Sequence, residues 1–287
     1  MSIYDDDDDV IMKEALVGKV MTSWSDKYGV VFVTPDYRNY PQGNISDMVC
    51  DVRNALQWVH DNIEYYNGDI QNITLIGQSA GAHISACMLL ESLCPKKQNT
   101  NYNFQIKTFI GISGNYNILE SLHNFEKKGL PSSIVNAIMN NDMKYYSPSI
   151  QLQQMIHNSW NDGKMCANYI NNLPPIYLFH GKADKTVPWT STQEFYILLT
   201  TLYDNSNVKK RHIVKYFNTK SHTDVIIEDP IGGSNSVYDD IDDDLTYDIL
   251  NIIYDSNTKV LKSYCSYKQQ SLMPLCFIQL ARKINPF

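Results

Sequence analysis

Hydrophobic and polar positions along this chain fall into blocks of two periods, and the blocks alternate. Gly29-Val30-Val31-Phe32-Val33-Thr34 is a continuous apolar run stopped by Pro35, which predicts a buried strand over 29–34. Met48, Val49, Val52, Leu56, Val59 and Ile63 then recur at helical spacing, and Ser46 stands where a cap would. Asn67-Gly68-Asp69 is a turn, and Ile73-Thr74-Leu75-Ile76 after it reads as a second buried strand. Further strands are predicted at 108–112, 176–179 and 213–217, with helices between them and a long helix near 245–254. An earlier helix is expected over 14–28, with Leu16, Val17, Val20, Met21 and Trp24 on one side. Strands alternating with helices imply an α/β fold, a mainly parallel sheet with helices on both faces.

One connection breaks the rhythm. More than sixty residues separate the strands at 108–112 and 176–179, too many for a simple crossover helix. Within them Leu119, Leu122, Phe125, Leu130, Ile134, Ile138, Met139, Met143, Met155 and Ile156 recur at helical spacing. Residues 115–172 are therefore expected to form a helical lid inserted into a domain covering 10–287. Most of these side chains are expected to pack the lid down, leaving a minority, the flexible methionines above all, to line an apolar pocket.

Composition narrows the classes. The 287 residues carry a formal charge of −7, and no basic cluster exceeds Val208-Lys209-Lys210-Arg211-His212, which disfavours nucleic acid as a partner. Asp5 to Asp9 make residues 1–9 an acidic tail, the opposite of a secretory leader, and no apolar run reaches the length of a membrane helix. The six cysteines (50, 87, 94, 166, 265, 276) show no zinc-like spacing and are expected to be reduced core residues of an intracellular, soluble protein. No metal and no cofactor are expected. The run Asp239-Asp240-Ile241-Asp242-Asp243-Asp244 lacks the glycine and spacing of a calcium loop and is expected to sit at a helix N-terminus.

The chemistry is carried by Gly77-Gln78-Ser79-Ala80-Gly81, between a predicted strand and a predicted amphipathic helix through Met88, Leu89 and Leu90. A serine on a sharp strand-to-helix turn presents its hydroxyl above the sheet edge, and both flanking glycines are expected to remove side chains that would clash. The Ala80 N–H, at the helix start, is aimed at an oxygen bound beside Ser79, as one donor of an oxyanion hole. Such a serine needs a histidine to take its proton and a carboxylate to orient that histidine. Phe179-His180-Gly181-Lys182-Ala183-Asp184 places Asp184 just past one strand, and Thr219-Lys220-Ser221-His222-Thr223-Asp224 places His222 just past the next. Serine, acid and base in that chain order fit an α/β hydrolase. His180 at a strand end and His83 on the helix behind the serine read as structural, and Asp224 is a weaker alternative acid. His60, His123, His157 and His212 read as solvated or packing residues, and Asp36 as one that orients its loop.

Several segments together resemble the isoprenylcysteine methylesterases. They are Asp36-Tyr37-Arg38-Asn39-Tyr40-Pro41-Gln42-Gly43, Ile45-Ser46-Asp47-Met48, Gly77 to His83, Leu173-Pro174-Pro175, Phe179-His180-Gly181, Ser221-His222-Thr223-Asp224 and Ile284-Asn285-Pro286-Phe287. The resemblance runs from about residue 15 to the end. It implies an α/β-hydrolase fold, Ser79, Asp184 and His222 as the triad, and hydrolysis of the methyl ester of a C-terminal S-prenylcysteine. It also leaves room for association with endoplasmic reticulum or Golgi membranes. Two other functions compete: a general short-chain carboxylesterase or lipase, and a non-catalytic hydrolase-fold binding protein.

The pattern departs from the family at the N-terminus. Such enzymes carry a glycine pair after an earlier strand, about twenty residues before the Asp-Tyr-Arg segment, that completes the oxyanion hole. Here the corresponding stretch is Val10-Ile11-Met12-Lys13-Glu14-Ala15-Leu16-Val17-Gly18, with no pair. The resemblance places that strand between the 29–34 strand and the Ser79 strand, so a gap is expected in the sheet; an incomplete gene product is the leading explanation, ahead of Val10-Ile11-Met12 substituting as a stub strand and of a degenerate relative.

Overall fold

The structure, a computed structural model, describes residues 28–93, 102–162, 170–171, 173–206, 212–226, 244–255 and 262. The acidic tail, the helix over 14–28 except Tyr28, the Val10–Gly18 stretch, four of the cysteines, the acidic run before Asp244 and the C-terminal motif lie outside them. The chain divides into two compact units. One comprises Asp36–His60 and Ile70–Val225; the other comprises Met1–Pro35, Asp61–Asp69 and Ile226–Pro286.

The first unit is built on four parallel strands in the order β1 (Thr74–Gln78), β2 (Thr108–Ile112), β3 (Ile176–Gly181) and β4 (His212–Phe217). Register is set by pairs such as Gly77 with Gly111, Gly111 with Leu178, and Leu178 with Val214. Every residue of β2 is buried, as a central parallel strand requires, and its run Thr-Phe-Ile-Gly-Ile is continuous rather than alternating. β1 differs from the expectation of a buried strand. It is the sheet's edge among the described residues, and Ile76 is 38% exposed.

The helices are α1 (Ile45–Asn62), α2 (Ala80–Glu91), α3 (Ile118–Lys127), α4 (Ser132–Ile138), α5 (Pro148–Asp162) and α6 (Trp189–Ser206). The cap of α1 is Asn44 rather than Ser46. The Asn44 Oδ1 accepts the N–H groups of Ser46 (2.9 Å) and Asp47 (3.4 Å), and the Asp47 carboxylate accepts the Asn44 N–H at 3.0 Å, a reciprocal capping box. Arg38 fastens the preceding loop by a bidentate pair with Asp51. Helix α2 was expected to be amphipathic, but Ala82 through Glu91 are all buried. It lies against β1 and β2 and is covered by α5. The helix's one carboxylate, Glu91, is buried too, paired with Arg53 at 3.1 Å and accepting the Tyr145 hydroxyl at 3.2 Å. In the region expected to be a lid, Val135, Met139, Leu152 and Ile156 are buried in the main core, with Leu122, Phe125, Met143 and Met155 packed against it.

In the second unit α7 (Leu245–Ile253) is capped by Asp244, whose carboxylate accepts the Tyr247 N–H at 3.0 Å. Leu250 packs with Tyr28, surrounded by Val30, Tyr247 and Tyr254. Residues 29–34, expected to be a strand, form none, and Val31 and Val33 are 38% and 39% exposed. An extended apolar segment becomes a strand only where a neighbour takes its N–H and C=O groups, and no described strand pairs with this one.

Candidate active site

The chain turns sharply where β1 meets α2, and Ser79 sits on the turn with φ 50° and ψ −114°, backbone that a non-glycine residue adopts only under constraint. Its N–H is fixed by the Ile112 carbonyl of β2 at 2.9 Å, and its carbonyl accepts the His83 N–H at 3.1 Å. Gly77 is what permits so tight a turn. A Cβ there would lie 2.6 Å from the Gly81 carbonyl carbon and oxygen and 2.7 Å from the Ala82 nitrogen. The second glycine differs from expectation, since a Cβ on Gly81 would meet nothing within 4 Å. Ala80 is exposed at the first turn of α2, where backbone N–H groups have no carbonyl partner within the helix.

Asp184 lies on the loop after β3 and His222 on the loop after β4, and the parallel ladder brings both loops to the end of the sheet that holds Ser79. The Ser79 Oγ is 2.9 Å from His222 Nε2, and His222 Nδ1 is 2.6 Å from Asp184 Oδ2. Ser79, His222 and Asp184 are thus brought into one chain of hydrogen bonds. Asp224 is not part of it. Its carboxylate accepts the Ser221 N–H at 3.0 Å and orders the loop that carries His222.

Two contacts close the loops onto the strands. Gln78 Nε2 donates to the His222 carbonyl at 3.2 Å. Gly181 passes so close to the base loop that a Cβ would stand 2.1 Å from the Lys220 carbonyl oxygen, while the Ala183 N–H donates to that same carbonyl at 3.2 Å. The Asp184 side chain has no exposed surface, and burial alone would raise its pKa. Hydrogen bonds from His180 and His222, the positive charge His222 carries once protonated, and the Val187 N–H outweigh that burial. They hold the carboxyl well below the usual carboxylate range. The other histidines stand apart. His83 donates Nδ1–H to the Asn115 carbonyl at 2.7 Å beside the Cys87 thiol, and the His212 ring lies against Tyr203. Among the described residues no three His, Cys, Asp or Glu side chains converge as a metal site would need, and no helix is long and apolar enough to cross a membrane.

Sequence reasoning passed over Gln78 and set His180 aside as structural, although His180 contacts Asp184 directly. The available signal was spacing: a histidine four residues before the acid, with a glycine between them that lets two loops cross.

A parallel sheet with helices on both sides and a serine on the strand-to-helix turn at its carboxyl end define an α/β hydrolase. Comparison with known proteins agrees, and the chain belongs to the BD-FAE family, whose model matches residues 12–199. Isoprenylcysteine alpha-carbonyl methylesterase ICME of Arabidopsis thaliana is 34% identical over 265 residues, covering 90% of this chain and 57% of that protein. The probable isoprenylcysteine alpha-carbonyl methylesterase ICMEL1 of Oryza sativa subsp. japonica is 32% identical, with coverage of 90% and 57%. The chain thus spans little more than half the length of these curated relatives. Among solved structures, carboxyl esterase 2 of the mycorrhizal fungus Tuber melanosporum shares the fold, with TM-score 0.53, 14% identity and coverage of 88% of this chain and 72% of that one.

Proposed function

We propose that this chain is a serine carboxylesterase in which Ser79 is the nucleophile, His222 the general base and acid, and Asp184 the group that orients His222. The observation that carries the reading is the chain of hydrogen bonds from Ser79 Oγ through His222 to Asp184 Oδ2, at 2.9 and 2.6 Å, on a serine held at positive φ. With Asp184 accepting from Nδ1–H, the His222 Nε2 carries its lone pair toward the Ser79 hydroxyl, the tautomer that proton transfer needs. Ser79 Oγ attacks the ester carbonyl as Nε2 takes its proton. The tetrahedral oxyanion forms beside the Ala80 N–H, which we assign as one oxyanion donor. Protonated His222 then gives that proton to the departing alkoxide, leaving an acyl-enzyme. Water, deprotonated by the same nitrogen, releases the acid.

As substrate we propose the methyl ester of a C-terminal S-prenylcysteine, with methanol as the first product. This rests on the likeness to the isoprenylcysteine alpha-carbonyl methylesterases of Arabidopsis and rice together with the motifs that resemble that family across most of this chain. The flexible methionines of residues 115–172, which we read as a lid, are candidates to line a slot for the prenyl tail.

A fluorophosphonate probe tests the nucleophile. Wild-type protein should be labelled and Ser79→Ala should not; a labelled alanine variant would mean that another serine reacts. Turnover of S-farnesylcysteine methyl ester against p-nitrophenyl butyrate tests the substrate. Preference for the butyrate alone would leave a short-chain esterase, and labelling without turnover of either would leave a binding protein.

A further inference from the structure

We propose that His180 is a positioning residue for the acid of this site: it fixes the Asp184 carboxylate in the plane and rotation that His222 needs. The inference rests on the reading of Ser79, His222 and Asp184 given above.

A carboxylate offers about four lone-pair directions, and at Asp184 each has a donor. Oδ1 accepts the N–H groups of Thr186 at 2.7 Å and Val187 at 2.9 Å. Oδ2 accepts from His222 Nδ1 at 2.6 Å and from His180 Nε2 at 3.1 Å. The His180 Nε2 faces a second acceptor as well, the Val187 carbonyl at 3.1 Å, so that nitrogen must carry a proton. The opposite ring nitrogen, Nδ1, is 2.7 Å from Thr192 Oγ1 on α6. A hydroxyl there can donate or accept, so the ring is held whatever its charge. His180 and Thr192 have no exposed surface, and water cannot substitute for either.

The consequence is mechanical. The Oδ1 contacts come from a loop, at Thr186 and Val187, only two and three residues beyond the acid. His180 belongs to β3 and is locked to α6, so it ties Oδ2 to the rigid part of the unit. Without it, Oδ2 would keep His222 as its one donor, and that donor is itself on a loop. Two loops would then be holding each other. A ring that merely filled space could be replaced by any side chain of similar volume, whereas a ring that positions Asp184 can be replaced only by a group that returns an N–H to the same point.

The experiment compares His180→Leu, which keeps bulk, with His180→Gln, whose Nε2–H reaches about as far as the imidazole nitrogen. Both are assayed as full chains with an activated ester, with circular dichroism to verify folding. His180→Leu should lower kcat by about 10- to 100-fold, the usual loss when an outer-shell partner is removed, with KM little changed. His180→Gln should recover most of that loss. The low-field proton resonance of His222 Nδ1–H should weaken or vanish in the leucine variant and return in the glutamine variant. Wild-type kcat in a folded His180→Leu, or a glutamine variant as slow as the leucine one, overturns the proposal. Should His180→Leu fail to fold, Thr192→Val removes only the anchor on α6. A smaller fall in kcat is then expected, and no fall overturns the proposal. Ser79→Ala separates this from the site reading. Turnover that survives in Ser79→Ala sinks the triad, and the role of His180 with it. Turnover lost in Ser79→Ala but kept in His180→Leu sinks His180 alone.

Discussion

One turn along α2 from the nucleophile, His83 is a buried histidine with a separate consequence for the protein. Its ring is 3% exposed, and burial lowers its pKa to about 4, only partly opposed by the bond from Nδ1 to the Asn115 carbonyl. In the unfolded chain it would titrate near its ordinary value of 6.5. A folded value below the unfolded one means that the unfolded chain binds the proton more readily. The stabilisation is therefore fully present above about pH 6.5 and is lost as pH falls toward 4. The full difference is worth roughly 3 kcal/mol, a large share of a domain's stability. The Asp184 carboxyl, also held low, acts in a lower window, since its contribution begins to fade only near the ordinary carboxylate range. Urea midpoints from pH 7 to pH 4.5 should accordingly fall in the wild type and change much less in His83→Gln. An equally steep fall in that variant would place the titrating group elsewhere.

At the scale of elements, the two glycines around Ser79 do different work, although the motif presents them as a symmetric pair. Gly77 is the point where β1 and the first turn of α2 come into contact, so a methyl group there must push backbone aside. Gly81 is inside α2 with open space where its Cβ would be. Alanine at position 77 should cost about 1–3 kcal/mol, the usual penalty for overpacking. Alanine at position 81 should instead stabilise the helix by about 0.5–1 kcal/mol, because glycine loses more backbone freedom there. Thermal melts of Gly77→Ala and Gly81→Ala decide the matter, and equal destabilisation by both would show that the turn tolerates no Cβ at either end. The same local view explains the capping of α1. Ser46 and Asn44 are both good cap residues, and which one caps depends on where the helix begins, a boundary that apolar spacing at Met48 and Val49 does not locate.

For the molecule as a whole, what the sequence made legible depended on how far each feature relies on its neighbours. The runs at 108–112 and 176–179 are continuous and, but for half-buried Tyr177, buried, so they could be read alone. Ser79, Asp184 and His222 could be named from motif and chain order, and these are the three that the parallel ladder gathers at one end of the sheet. The link from His180 to Asp184 showed only as a spacing of four residues, because a buried histidine at a strand end looks the same whether it packs or orients a carboxylate. Residues 29–34 were misread for a different reason: apolar content specifies burial, but a strand exists only with a partner. β1 is the edge of the described sheet, and Ile76 stands 38% exposed on the face opposite the one where Gly77 meets α2. An open edge carrying an exposed branched apolar residue is a template for pairing with another chain, and such edges are ordinarily blunted by a charge, often lysine. Ile76→Lys should therefore reduce the light scattering that develops with protein concentration on heating. A half-exposed surface change of this kind should alter the free energy of unfolding by no more than about 0.5 kcal/mol. If scattering is unchanged while the melting midpoint falls, Ile76 is covered in the folded protein and β1 does not template such pairing.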